Sequence, residues 1–177
     1  LLVLAGCAVS HGMIRSLDFA AILDLSFARQ ASFCVMWLAI GVSGVLVEVI
    51  LTNRAAARQQ LVPAQRPMRV AAFSLTPSVV VAMVLTVKFL IPLEPRAEEI
   101  QYIVPVWMML YGTGVYTAGL FSIQPPRLLG LAFLALGVVA LLGFPQYGVV
   151  SAAVSFGLLH ILFGLYILRK QRQTVIA

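Results

Sequence analysis

Charge is what this sequence has least of. Its 177 residues include 12 Lys or Arg and 6 Asp or Glu, so charged residues make up 10% of the chain. A water-soluble domain of this length needs a much more polar exterior, because Lys, Arg, Glu and Asp normally cover the surface of such domains. Cysteine is scarce too. Cys7 and Cys34 form no C-x-x-C pair, and counted along the chain they fall at different depths of their helices. That disfavours a disulfide or a metal site and leaves both as small apolar side chains. Only two histidines, His11 and His160, are available for acid–base chemistry. No residues stand at metal-ligand spacing, so neither a metal nor a cofactor is expected. The formal charge of +6 could point to nucleic acid. The cations lack the interleaved aromatic residues of a single-strand groove, however, and nucleic acid is not expected as a partner.

Apolar residues fill the space that charge leaves. Hydrophobic residues make up 62% of the chain and its mean hydropathy is +1.02, which places it in a bilayer. A helix crosses the hydrocarbon with roughly 20 apolar residues, and continuous runs of about that length fall at roughly 31–52, 70–92, 103–123, 128–144 and 148–168. They do not alternate between apolar and polar residues, which excludes the strands of a membrane barrel. The shorter run at roughly 1–13 reads as the end of a first span whose opening residues precede the numbered chain. A secretory signal peptide is disfavoured there, since a charged leading region and a small-residue cleavage site are missing. The expected fold is all-α, a single transmembrane domain over residues 1–177 forming a polytopic helical bundle of about six spans.

Orientation follows from the cations, because short loops rich in Lys and Arg stay on the cytoplasmic side. Arg54, Arg58, Arg66 and Arg69 follow the second run, Arg127 lies in the Gln124-Pro125-Pro126-Arg127 turn, and Arg169, Lys170 and Arg172 end the last run. With alternating spans all three places share one side, and the opposite side receives Glu94, Glu98 and Glu99. Both termini are therefore expected in the cytoplasm. Between the first two runs, Ser16 to Ala28 predicts a short interfacial helix at the outer surface. Ser16 would be its N-cap, with Phe19, Ile22, Leu23 and Phe27 on its apolar face.

In lipid, helices gain nothing by hiding apolar surface from one another, so small residues that permit close backbone approach mark their contacts. Gly112, Gly114, Ala118 and Gly119 do so on the fourth run, and Ser151, Ala153, Ser155 and Gly157 on the sixth. These two helices are expected to touch through Gly114, Ala118, Ala153 and Gly157. Gly41, Ser43 and Gly44 give the second run a similar face, and Pro77 and Pro105 predict local kinks.

Intramembrane polar groups are the default place to look for function. Lys88 lies near the end of its run and can snorkel. Glu48 can reach outward to Arg54, or can pair with His160, whose depth differs from its own by roughly 6 Å at the helical rise per residue. Glu48 and His160 are thus the candidate functional pair. A haem between His11 and His160 is disfavoured, because their depths differ by on the order of 12 Å. Gly41-Val42-Ser43-Gly44 resembles the Gly-x-Ser-Gly of rhomboid intramembrane proteases, with His160 as the partner base. The rhomboid serine lies on the fourth span, however, and the upstream histidine and asparagine that stabilise its oxyanion have no counterpart here. No catalytic residues are assigned, and a non-enzymatic role is expected.

Tyr111-Gly112-Thr113-Gly114, Ala118-Gly119-Leu120-Phe121-Ser122 and Gly157-Leu158-Leu159-His160-Ile161-Leu162-Phe163-Gly164 resemble a loose group of small bacterial multi-spanning membrane proteins of unassigned activity, over roughly 103–170. The resemblance implies a bacterial inner-membrane setting and no particular chemistry. Two functional classes follow. One is a structural or accessory subunit that binds other membrane helices or a second copy of itself. The other is a small-solute or proton-coupled permease, although the two halves of the chain show no convincing repeat.

The topology is testable by cysteine accessibility in a background with Cys7 and Cys34 replaced. Gln60→Cys and Gln171→Cys should react with an impermeant reagent only after the membrane is opened. Labelling of either from outside intact cells contradicts the orientation.

Overall fold

The computed structural model describes the backbone of residues 1–58, 65–90, 97–120 and 124–176, and the side chains of 1–44, 46, 47, 50, 54, 75–88, 99–120 and 125–169. It is 92% helix, with no strand among the described residues. Helices α1 (Leu2–Ile14), α2 (Phe27–Arg58), α3 (Gln65–Leu90), α4 (Ala97–Ile100), α5 (Ile103–Leu120) and α6 (Gln124–Gly143) come first. The last helical stretch begins as α7 (Gly148–Ala152), widens into a π-helical segment (Ala153–Leu159) and continues as α8 (His160–Ile176). Within the described residues three helices are long and apolar enough to cross a membrane: Ile103–Leu120, Pro125–Gly143 and Pro145–Arg169. Leu2–Ile14 and Leu75–Lys88 are apolar but shorter. The 13 residues of α1 span only about 20 Å at the helical rise, and the side chains of α2 and α3 are described only in part, so three of the six expected spans stand among the described residues.

Helix α1 stops at Arg15, the only described non-glycine residue with positive φ (55°), whose N–H donates to the His11 carbonyl. From there the chain departs from expectation. Ser16 does not cap a helix; its hydroxyl accepts the Asp18 N–H at 3.0 Å. Asp18 is the cap instead, its carboxylate accepting the Ala20 N–H at 2.9 Å, and the element it starts is a 3₁₀ helix, Phe19–Asp24. Three residues per turn place Phe19, Ile22 and Leu25 on one face, and Leu23, expected on the apolar face, also packs against the core there. Phe19 and Ile22 are buried, whereas Phe27, expected beside them, starts α2 and is 85% exposed. Gln30 binds the turn to α2 by donating to the carbonyls of Leu23 and Leu25 at 3.2 and 3.0 Å.

Helix α5 is the centre of the molecule, packed between α3 and α6. Its contact with α6 is backbone against backbone. A Cβ on Gly112 would meet the Gly130 carbonyl oxygen, the Leu134 nitrogen and the Phe133 Cβ, each at 2.9 Å. A Cβ on Gly130 would meet the Tyr116 nitrogen at 2.5 Å and the Gly112 carbonyl oxygen at 2.7 Å. One turn beyond, Gly119 lies against Arg127, whose Nε donates to the Gly119 carbonyl at 2.7 Å and whose Nη2 donates to that of Leu120 at 3.0 Å. Arg127 thereby satisfies the open C-terminal carbonyls of α5 while the chain turns. Pro125 and Pro126 occupy the first turn of α6, where a missing N–H costs nothing.

The expected pairing of Gly114 and Ala118 with Ala153 and Gly157 is not the one found. Gly114 faces Leu75 and Ser78 of α3, and Gly157 faces Leu4 of α1. Ala118 is half-buried, and Ala153 packs toward the cluster around Cys7, Phe19 and Phe33. Helix α5 and the last helical stretch meet instead through larger side chains, among them Tyr111 and Phe156. A small residue marks a face that can be approached closely; it does not specify which helix approaches.

Gly130→Ala should lower the stability of the detergent-solubilised protein by about 1–3 kcal/mol, since the new methyl has only backbone to push against. Gly143→Ala, where among the described residues nothing beyond the adjoining stretch of α6 lies within 4 Å of the added carbon, should be neutral or slightly stabilising. Equal denaturation midpoints for the two variants contradict the α5–α6 contact.

Candidate functional site

The strongest polar constellation is centred on His160. Its Nε2 lies 3.0 Å from the Tyr111 hydroxyl of α5, and its Nδ1 lies 3.4 Å from the Ser155 carbonyl. A carbonyl can only accept, which assigns the proton to Nδ1 and leaves Nε2 to accept from the tyrosine. Aromatic rings enclose the imidazole: Phe133 edge-on at 5.3 Å, Phe156 stacked at 6.4 Å with 15° between planes, and Tyr111 at 5.7 Å. Phe133 is 0% exposed and also meets Tyr111 and Phe156, each at 4.9 Å.

The π-helical segment just before His160 shapes this arrangement. A π turn carries an extra residue, and such turns often occur at functional sites. Here Ser155 is fully buried and its hydroxyl donates back to the Ser151 carbonyl at 2.6 Å. Chemically, Tyr111 and His160 form a neutral donor–acceptor pair. Protonation of Nε2 would turn acceptor into donor and require the tyrosine oxygen to accept.

Glu48, proposed from the sequence as the partner of His160, has its side chain outside the described residues. Lys88 is exposed, as is His11 at the far end of α1, well separated from His160 along the molecule. The hydrogen bonds of His160 go to Tyr111 and Ser155, not to Ser43. Cys7 is buried and Cys34 exposed, and both are free thiols. Trp37 and Trp107 cross-link helix pairs. The Trp37 indole donates to buried Ser10 at 3.0 Å, joining α2 to α1, and that of Trp107 donates to Thr86 at 2.7 Å, joining α5 to α3.

Tyr111, Phe133 and Phe156 are the site residues that sequence reasoning missed. Tyr111 carried a usable signal, because a hydroxyl in the middle of an apolar run needs a partner. The phenylalanines carried none, being indistinguishable in sequence from any other apolar residue of a span.

A double-mutant cycle between Tyr111→Phe and His160→Phe, read from unfolding in mixed micelles, should give a coupling of about 1 kcal/mol, the scale of hydrogen bonds between membrane helices. Strict additivity contradicts the pair. Comparison with protein-family models, with curated proteins and with solved structures finds no match to this chain.

Proposed function

We propose that the protein is an integral membrane protein of about six spans. Both termini would lie in the cytoplasm of a bacterium, and the chain would serve without catalysis as a structural or accessory subunit of a larger membrane assembly. The observation that carries this proposal is the uncovered face of α2. Val35, Leu38, Val42 and Leu46 are exposed along it, and among the described residues nothing beyond the adjoining stretch of α2 lies within 4 Å of a Cβ placed on Gly41 or Gly44. Lipid explains exposed valine and leucine. Paired glycines on such a face give lipid no better contact, whereas they let a second helix approach to backbone distance.

A proton-coupled permease is the second proposal. It is favoured by the meeting of His160 and Tyr111 inside the bundle beside a π turn. There His160, with Glu48, would carry the proton.

One experiment separates the two. The protein is extracted in mild detergent, and its companions are compared with those of the double variant Gly41→Leu/Gly44→Leu. A subunit should bring a stoichiometric membrane partner that the double variant loses while keeping its own melting temperature. Recovery as a homogeneous species without a partner, unchanged in the variant, contradicts the subunit proposal and favours the permease.

A further inference from the structure

Helix α1 and the last helical stretch run antiparallel, with Gly157 against Leu4 at one end and Gly148 against Phe19 at the other. An open groove of about 490 Å³ lies between them. Leu4 and Leu158 close its inner end, Cys7, Ala8 and Ala153 form its floor, and His11 and Leu17 stand at its outer mouth. Among the lining residues His11 alone carries a side-chain nitrogen or oxygen.

Length points to the occupant. From Leu4 to His11, and from Leu158 back to Val149, the groove runs roughly 10–14 Å at the helical rise per residue. One leaflet of hydrocarbon is about 15 Å thick. A single extended acyl chain fits.

Charge at the mouth points the same way. His11 is exposed there, and Arg15, one turn further on, is also exposed and has its backbone set by the left-handed cap of α1. A guanidinium at headgroup level pairs with phosphate.

We propose that this groove holds one acyl chain of an anionic phospholipid, with the phosphate at His11 and Arg15. The lipid would act as a fixed part of the bundle, joining α1 to the last helix where their own side chains leave a gap. Because the chain exchanges one apolar environment for another, selectivity comes from contact with the small-residue floor and from the phosphate. The proposal rests on placement of the protein in a bilayer, and its test separates that premise from the groove itself.

The full chain is reconstituted in vesicles of phosphatidylcholine and phosphatidylglycerol containing a trace of phosphatidylglycerol with a photoreactive group on its acyl chain. It is then irradiated and the adducts are mapped. One adduct per chain, concentrated on residues 4–17 and 149–158, is expected. Ala8→Phe, which fills the groove from an exposed position, should abolish that enrichment, and Leu131→Phe on the exposed face of α6 should not. Arg15→Gln should lower it about fivefold, the effect of one cation beside an anionic headgroup. Adducts spread evenly over the exposed faces of α2 and α6, or an Ala8→Phe variant labelled like the parent, overturn the proposal. A chain that takes up no label anywhere overturns the bilayer placement as well.

Discussion

In a bilayer the force that folds soluble proteins is largely spent once helices have formed, because lipid is as apolar as the side chains it meets. What remains is close contact, and here it is concentrated where Gly112 of α5 meets Gly130 of α6 at the distance of backbone atoms. Side chains on either residue would hold the two helices apart. The approach sets the depth and rotation of α5, and the rest of the molecule is arranged around that helix. Gly114 then faces α3, Gly119 falls beside Arg127, and Gly137 receives Met109. Arg127 shows how one residue serves two ends: it closes the carbonyls of α5 and fixes the turn into α6.

The site around His160 depends on the same contact. Tyr111 precedes Gly112 by one residue, and Phe133 follows Gly130 by three, so close approach of the backbones places the two rings 4.9 Å apart. The last helical stretch then supplies Phe156 and His160 to a pocket that α5 and α6 have already built. Its π turn divides the stretch between two duties. Ser155, Phe156 and His160 serve the aromatic cluster, while Ala153, Val154 and Leu158 border the groove against α1. A shift of that turn by one residue would alter both surfaces together.

Helices were legible in the sequence because an apolar run and a helix obey the same length rule, as α5 and α6 illustrate. Which residues allow close approach was partly legible, since Gly112, Gly114 and Gly119 are conspicuous in an apolar run. Their neighbours were not, because a glycine carries no mark of what approaches it. Gly130 and Gly137, seven residues apart on one face of α6, offer a comparable but sparser signal than the cluster on α5. The segment after α1 departs from α-helical spacing for a different reason. Asp18 caps better than Ser16 here, and a 3₁₀ turn changes the period, so Phe27 leaves the face that α-helical spacing assigned to it. The π turn before His160 has no sequence signature, and the enclosure of that imidazole follows from tertiary contacts alone.

The most direct test of the central contact is solid-state NMR on the protein in lipid bilayers with ¹³C-labelled glycine as its only enriched residue. Gly112 and Gly114 should give a correlation from within one helix, which calibrates the experiment. The account predicts a second correlation between Gly112 and Gly130, which lie in different helices and can exchange magnetisation only if the two backbones touch. The first signal without the second would contradict it.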